Sequence, residues 1–222
     1  MTKKSGMRAV GAQAVRERLG SKRMLLFVAL TVCQFAAAFG VRAISGAPPL
    51  SFLVYTMIEG FVTAETVRLY LKKESRTMRH LSVYSMGMAV VMLTVFFGLT
   101  VLMIAAASAK NSLPEGMLEE WTRDYAGDPL RMLLSTALTG VTGVFYIFLR
   151  LALKQGADVM ERKREERDWR KPAAYLTVLT ALLSLAEELL SPLDWLSMGP
   201  EIAGFFRYIV LAVLLWPGEE NG

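Results

Sequence analysis

The sequence predicts an all-α, polytopic transmembrane bundle of about six spans with both termini in the cytoplasm. Three observations predict it. Of the 222 residues, 54% are hydrophobic and mean hydropathy is +0.38. Charge falls in blocks rather than being interleaved at helix or strand period. Between the blocks lie apolar runs of about 20 residues, the length that crosses roughly 30 Å of hydrocarbon. In lipid an unpaired backbone group has no partner, so each run must close its own hydrogen bonds as a helix. The runs lack the alternation of barrel strands.

Residues 1–23 carry Lys3, Lys4, Arg8, Arg16, Arg18, Lys22 and Arg23 against Glu17 alone. Met7, Val10, Ala14 and Leu19 can share one face of a short helix on anionic lipid. A basic tail without fixed structure fits equally well. The transmembrane domain, 24–217, then holds spans at about 24–44, 50–71, 81–107, 130–153, 173–193 and 202–216. A tail, 218–222, follows. The fourth span is expected to continue into the cytoplasm as a helix over about 154–168, supported by opposite charges three and four apart around Glu161, Arg162, Glu165 and Glu166. Pro172 suits the first turn of the fifth span. Ala36-Ala37-Ala38 and Ala43-Ile44-Ser45 resemble signal-peptide cleavage sites. The long basic start, the long apolar run and Arg42 after it favour a retained span.

Orientation follows from the connections. Residues 72–80 carry Lys72, Lys73, Arg76 and Arg79 against Glu74, and residues 150–171 hold eight basic and five acidic residues. Residues 108–131 hold three basic and five acidic residues, and 194–201 only Asp194 and Glu201. Basic loops stay in the cytoplasm, so an even number of spans returns the C-terminus there. Trp121 and Trp195 then fall at outer ends and Trp169 and Trp216 at inner ends, the headgroup level that indole prefers.

Ionisable groups within a span are costly and are site candidates by default. Glu59 lies near the middle of the second span, level with Gln34 in an antiparallel hairpin. Tyr55, Glu59, Thr63, Thr66 and Tyr70 share one side of that helix. Two readings stand: a polar seam facing a cavity with Glu59 as a proton or cation site, or a protonated glutamic acid hydrogen-bonded to Gln34 as glue. Glu65 and Arg68, three apart, pair on the helix surface. Glu187 and Arg207 lie at equal depth on adjacent spans, which predicts an ion pair from Arg207 to Glu187 or Glu188. Small and hydroxylated residues (Ser135, Thr139, Gly140, Thr142, Gly143 and Tyr146; Thr177, Thr180, Ser184, Glu187 and Ser191) recur at helical spacing, the pattern of helix contacts in lipid, with the lining of a solute path as the second reading.

Catalytic chemistry finds little support, and the sequence leans away from an enzyme. Cys33 is the single cysteine and His80 the single histidine, so Cys/His metal sites and serine–histidine pairs within the spans are excluded. No phosphate-binding GxxxxGK[ST] loop occurs. Glu187-Glu188 resembles the first motif of CAAX-type intramembrane proteases. Pro192, however, stands where that family has arginine, and its histidine motifs are missing. No catalytic, cofactor or metal residue is assigned. The net charge of +5 flanks the spans and is not a nucleic-acid signal.

The order of features resembles polytopic membrane proteins of clostridia and related Firmicutes that have no known activity. The shared pattern is a basic start, the hairpin LLFVALTVCQF…PLSFLVYTMIEGF, and a charged RKREERDWRKP segment before a final hairpin. The resemblance implies a bacterial plasma membrane. A cysteine-pair zinc ribbon carried by many of those proteins is absent here. Two function classes are expected. The first is a non-enzymatic scaffold, immunity, sensor or assembly protein, favoured because no motif demands a substrate. The second is a transport component like ABC-2 permeases or the substrate-binding subunits of energy-coupling-factor transporters, with a polar site near Glu59. Partners are then the lipid bilayer, a separate ATPase or other membrane subunit docked at 150–171, or a second copy in a homo-oligomer.

Overall fold

The computed structural model describes residues 2–46, 48–108, 129–161, 168–190 and 195–216, which form seven α-helices and no strand. They are α1 (Thr2–Leu19), α2 (Lys22–Ile44), α3 (Pro49–Lys72), α4 (Ser75–Ser108), α5 (Pro129–Met160), α6 (Arg170–Leu190) and α7 (Trp195–Leu215). Helix starts follow local chemistry. Ser21 Oγ accepts from the Met24 amide at 3.3 Å and caps α2. Pro49 opens α3, and Pro172 lies in the first turn of α6. Lys73, left-handed at φ 51°, ends α3 and turns the chain into α4.

Among the described residues, four helices are long and apolar enough to cross a membrane: Lys22–Ile44, Ser75–Ile104, Met132–Met160 and Arg170–Leu190. They are compatible with a multi-pass membrane protein. The other two long helices, α3 and α7, carry Glu59, Glu65 and Arg207. α5 does run on past the fourth apolar run to Met160. The rest of the predicted cytoplasmic extension, with Arg162, Glu165 and Glu166, lies outside the described residues, as do Trp121, Ser191 and Asp194.

Each of α2 to α7 packs on its chain neighbour, and α7 also packs on α2, so six helices form a closed ring. α1 packs against α5. Of the two expectations for residues 1–23, the helix is the one observed, and it rests on the bundle. Ala12 and Leu19 are buried, and Gly11 sits 3.5 Å (as an added Cβ) from Val159 of α5.

Burial in the ring is inverted relative to a protein folded by water. Leu25, Leu53, Met57, Phe61, Val83, Phe97, Val101, Leu133, Leu182 and Phe206 are exposed, whereas Thr31, Thr66, Thr77, Ser85, Thr136, Thr142, Thr177 and Thr180 are buried. Against lipid an outward leucine costs nothing, and helices are held together by close contacts of small residues and hydroxyls. Several hydroxyls bond back to the carbonyl one turn earlier, as Thr31, Thr66, Ser85, Thr136, Thr139 and Thr177 do at 2.7–2.8 Å.

The contact between α4 and α5 is the most extensive. Gly140 and Gly143 of α5 admit Phe96 and Leu93 of α4 so closely that an added Cβ would lie 2.8 Å from each side chain. At the other end of these helices Arg79 donates to Asp158 at 2.9 Å and to both oxygens of Glu161 at 3.0 and 2.8 Å. The carboxylates lift the Arg79 guanidinium above its ordinary value, chiefly through the Glu161 hydrogen bonds. All three side chains are partly exposed, so Arg79→Ala is expected to cost no more than about 1 kcal/mol. Thermal unfolding in detergent checks this, and the difference should shrink at high salt.

Candidate functional site

The ring encloses a cavity of about 880 Å³ in the half of the bundle where α1 lies. α1 supplies Ala14, Val15, Arg18 and Leu19 to one end. Asp168, Arg170, Lys171 and Trp216 lie around the same basic end. Deeper in, the wall is apolar, with Phe27, Leu69, Leu81, Leu149 and Leu153. A polar group occurs where α3, α5 and α7 are near their middles and α4 is in its first third: Glu59, Tyr84, Ser85, Tyr146, Arg207 and Tyr208.

Helical phase brings this about. On α3, Glu59, Val62, Thr66 and Leu69 recur every three or four residues and face inward. On α7, Arg207, Tyr208, Leu211, Leu214 and Leu215 do the same. Phe206, beside Arg207, is 52% exposed on the outside. Arg207 sits deep among neighbouring helices, and the surface it keeps opens into the cavity. Its guanidinium stands 5.5 Å from the centre of the Tyr208 ring, a cation–π distance. Glu59 and Arg207 lie near enough for their charges to interact, yet no ion pair joins them among the described residues.

Two expected pairings are corrected. Arg207 makes no ion pair with Glu187 or Glu188 among the described residues. α6 does pack on α7, but Arg207 lies near the middle of α7 and is turned towards the centre of the ring. Glu187 and Glu188 are half-buried near the far end of α6, where their charges act on Glu201. Gln34 makes no hydrogen bond to Glu59. It packs at the α2–α7 contact, where a Cβ on Gly204 would lie 2.7 Å from its Nε2, and its Oε1 is buried without a partner. Equal depth in a hairpin says nothing of which way a side chain turns. Thr63 is buried one turn from Glu59, its hydroxyl without a partner, and does not line the cavity. Tyr55 faces Arg42 of α2, whose guanidinium lies 4.0 Å from the ring centre.

Glu65 and Arg68 pair at 3.6 Å as expected, within a cluster at the α3–α4 turn. Arg68 also reaches Glu74 at 3.6 Å, and His80 Nδ1 lies 3.5 Å from Glu65.

The basic end of the cavity is organised by Arg18 and Asp168. Arg18 donates to the Leu214 carbonyl at 3.4 Å, tying α1 to the last turn of α7. Burial and nearby Arg170 pull its guanidinium below the ordinary value. Asp168 accepts from the Arg170 side chain at 3.0 and 3.4 Å and from its amide at 3.1 Å. Burial pushes the Asp168 carboxyl up, but these bonds and Lys171 outweigh it, holding the group below the usual carboxylate range. A depressed folded value stabilises the fold above the ordinary carboxylate pKa of about 3.9, and that contribution is lost as pH falls through the lower folded value. Asp168→Asn is therefore expected to lower stability at pH 7 and to flatten the acid limb of melting midpoint against pH.

Sequence reasoning missed Tyr84, Tyr208 and Arg18 as cavity residues, and placed Tyr146 in a seam read first as a helix contact and second as a solute path. For Tyr146 and Tyr208 a signal was present: tyrosine prefers the headgroup level, so one at mid-span points to a polar interior. No family model, curated protein or solved structure matches the chain.

Proposed function

We propose that this chain is a six-span bacterial plasma-membrane protein, both termini cytoplasmic, that binds a small solute in its interior cavity and acts as the membrane component of a transporter. The observation that carries the reading is the void beside Glu59, with Arg207 and three tyrosines on its walls. A scaffold acting through its surfaces gives no reason to hold opposite charges around an interior cavity within lipid, where each costs several kcal/mol to bury. A solute site does. The void is of the size that small-molecule sites have, roughly 300–1,000 Å³.

α3 and α7 belong with the four clearly apolar spans because they complete the ring, and their charges turn inward rather than to lipid. The basic loops put the α1 end of the cavity on the cytoplasmic side. The cavity then opens towards the cytoplasm beneath α1, the arrangement of an inward-facing state. The cytoplasmic edge formed by α5 and the Arg79 clamp would meet a separate ATPase or other subunit.

Mass spectrometry of the protein released from mild detergent tests this. A small molecule, distinct from phospholipid and detergent, is expected on the wild type and lost from Glu59→Gln and Arg207→Gln. Wild type that carries lipid alone, from cells in rich and in minimal medium, contradicts the reading.

A further inference from the structure

The deep end of the cavity sets a carboxyl from α3 and a guanidinium from α7 on one void without joining them. In a low-dielectric interior two opposite charges attract strongly. Intramembrane charges ordinarily pair directly where the helices allow it. Here the ring holds them apart: α3 and α7 are separated by α2, which contributes only Met24 and Phe27 to the lining, both near its N-terminal end. Arg207 is left with a tyrosine face, a partner worth far less than a carboxylate. Glu59 is left facing the void.

We propose that the solute is a small zwitterion with one large apolar substituent, the chemistry of a free apolar α-amino acid. This rests on reading the cavity as a solute site. Its carboxylate lies against Arg207, which with two of its guanidinium N–H groups can hold both oxygens. Its ammonium lies against Glu59. The hydroxyls of Tyr84, Tyr146 and Tyr208 accept from or donate to whichever head group faces them. The substituent lies along Leu81, Phe145 and Leu149. Such a molecule completes both buried charges at once and crosses the deep end as an overall neutral unit. A molecule with one charge would leave either Glu59 or Arg207 uncompensated, and a site built for a polar group rejects the analogue that lacks it.

The test is thermal unfolding of the full chain in detergent with millimolar leucine, phenylalanine or tryptophan, beside the methyl ester and the N-acetyl derivative of each. At least one free amino acid is expected to raise the midpoint. Its ester, which lacks the carboxylate, and its N-acetyl form, which lacks the ammonium, are expected to bind at least about tenfold more weakly. Glu59→Gln, which keeps shape but leaves Arg207 uncompensated and so starts from a lower midpoint without ligand, should erase the preference for the free amino acid over its N-acetyl form. Purely structural loss would weaken both alike. Equal stabilisation by the ester or the N-acetyl form overturns two-charge recognition and leaves solute binding standing. No response to any of the three amino acids, with a small molecule still found on the purified protein, overturns the ligand class alone. No response and no bound molecule overturns this inference together with the solute reading.

Discussion

Gly143→Leu separates α4 from α5 and costs about 3 kcal/mol or more, the upper end of what overpacking a tight contact costs. A Cβ at position 143 lies 2.8 Å from Leu93 Cδ2, 2.9 Å from its Cγ and 3.3 Å from its backbone nitrogen. The Leu93 side chain can swing aside only by leaving its rotamer, and the main-chain nitrogen moves only if the α4 backbone moves. Position 140 reinforces this, since an added Cβ meets the Phe96 ring at 2.8 and 2.9 Å. Lipid tails are as apolar as leucine, so close approach of the backbones is what holds these helices together. Gly98→Leu and Gly87→Leu are matched controls, as neither position has an atom within 4 Å of an added Cβ. A large drop in melting midpoint and loss of a monodisperse species are expected for Gly143→Leu, and little change for the controls.

Arg207→Ala is the second large effect, and its partner is Glu59 rather than Glu187. Removing one of two mutually compensating buried charges is strongly destabilising, by up to about 3–5 kcal/mol. The charges interact across a void instead of touching, so a coupling of about 1–3 kcal/mol is expected in a double-mutant cycle. Arg207→Ala combined with Glu59→Gln should recover part of the lost stability. Arg207→Ala combined with Glu187→Gln should be additive. Equal recovery in both combinations would return Arg207 to the α6–α7 contact and take it out of the cavity.

The helices themselves were legible because nothing but an apolar run of span length survives in lipid. α2 to α7 coincide with the six runs to within a few residues at most ends, and Pro49, Pro172 and Lys73 mark boundaries through their backbone preferences. The hydroxyl and glycine seams were legible as packing surfaces, since small residues at helical spacing have few other uses. Three things were not legible. The closure of α7 onto α2 joins helices far apart in sequence, and no local pattern encodes it. The azimuth of a side chain at known depth was also hidden, which is why Gln34 was matched to Glu59 and Arg207 to Glu187. The place of α1 was hidden because its inward face is made of Gly11, Ala12, Ala14 and Val15, too weakly apolar to tell packing on α5 from a lipid-bound or free segment. The cavity is a consequence of the first two. With neighbours and azimuths unknown, Glu59 in a seam and Glu59 on a void look alike.

A cavity open to water, inside a ring of helices whose outer faces meet lipid, makes the two sides of α7 chemically distinct, and thiol labelling reads that difference. In a chain with Cys33→Ser, Leu211→Cys places a thiol on the cavity wall, and Phe206→Cys places one on the outer face of the same helix. A small hydrophilic thiol reagent applied to opened membrane vesicles should modify the thiol at 211 readily and leave the one at 206 in lipid unreacted. A reactive thiol at 206 with an inert one at 211 would put water on the outer face of α7 and rule out a hydrated interior.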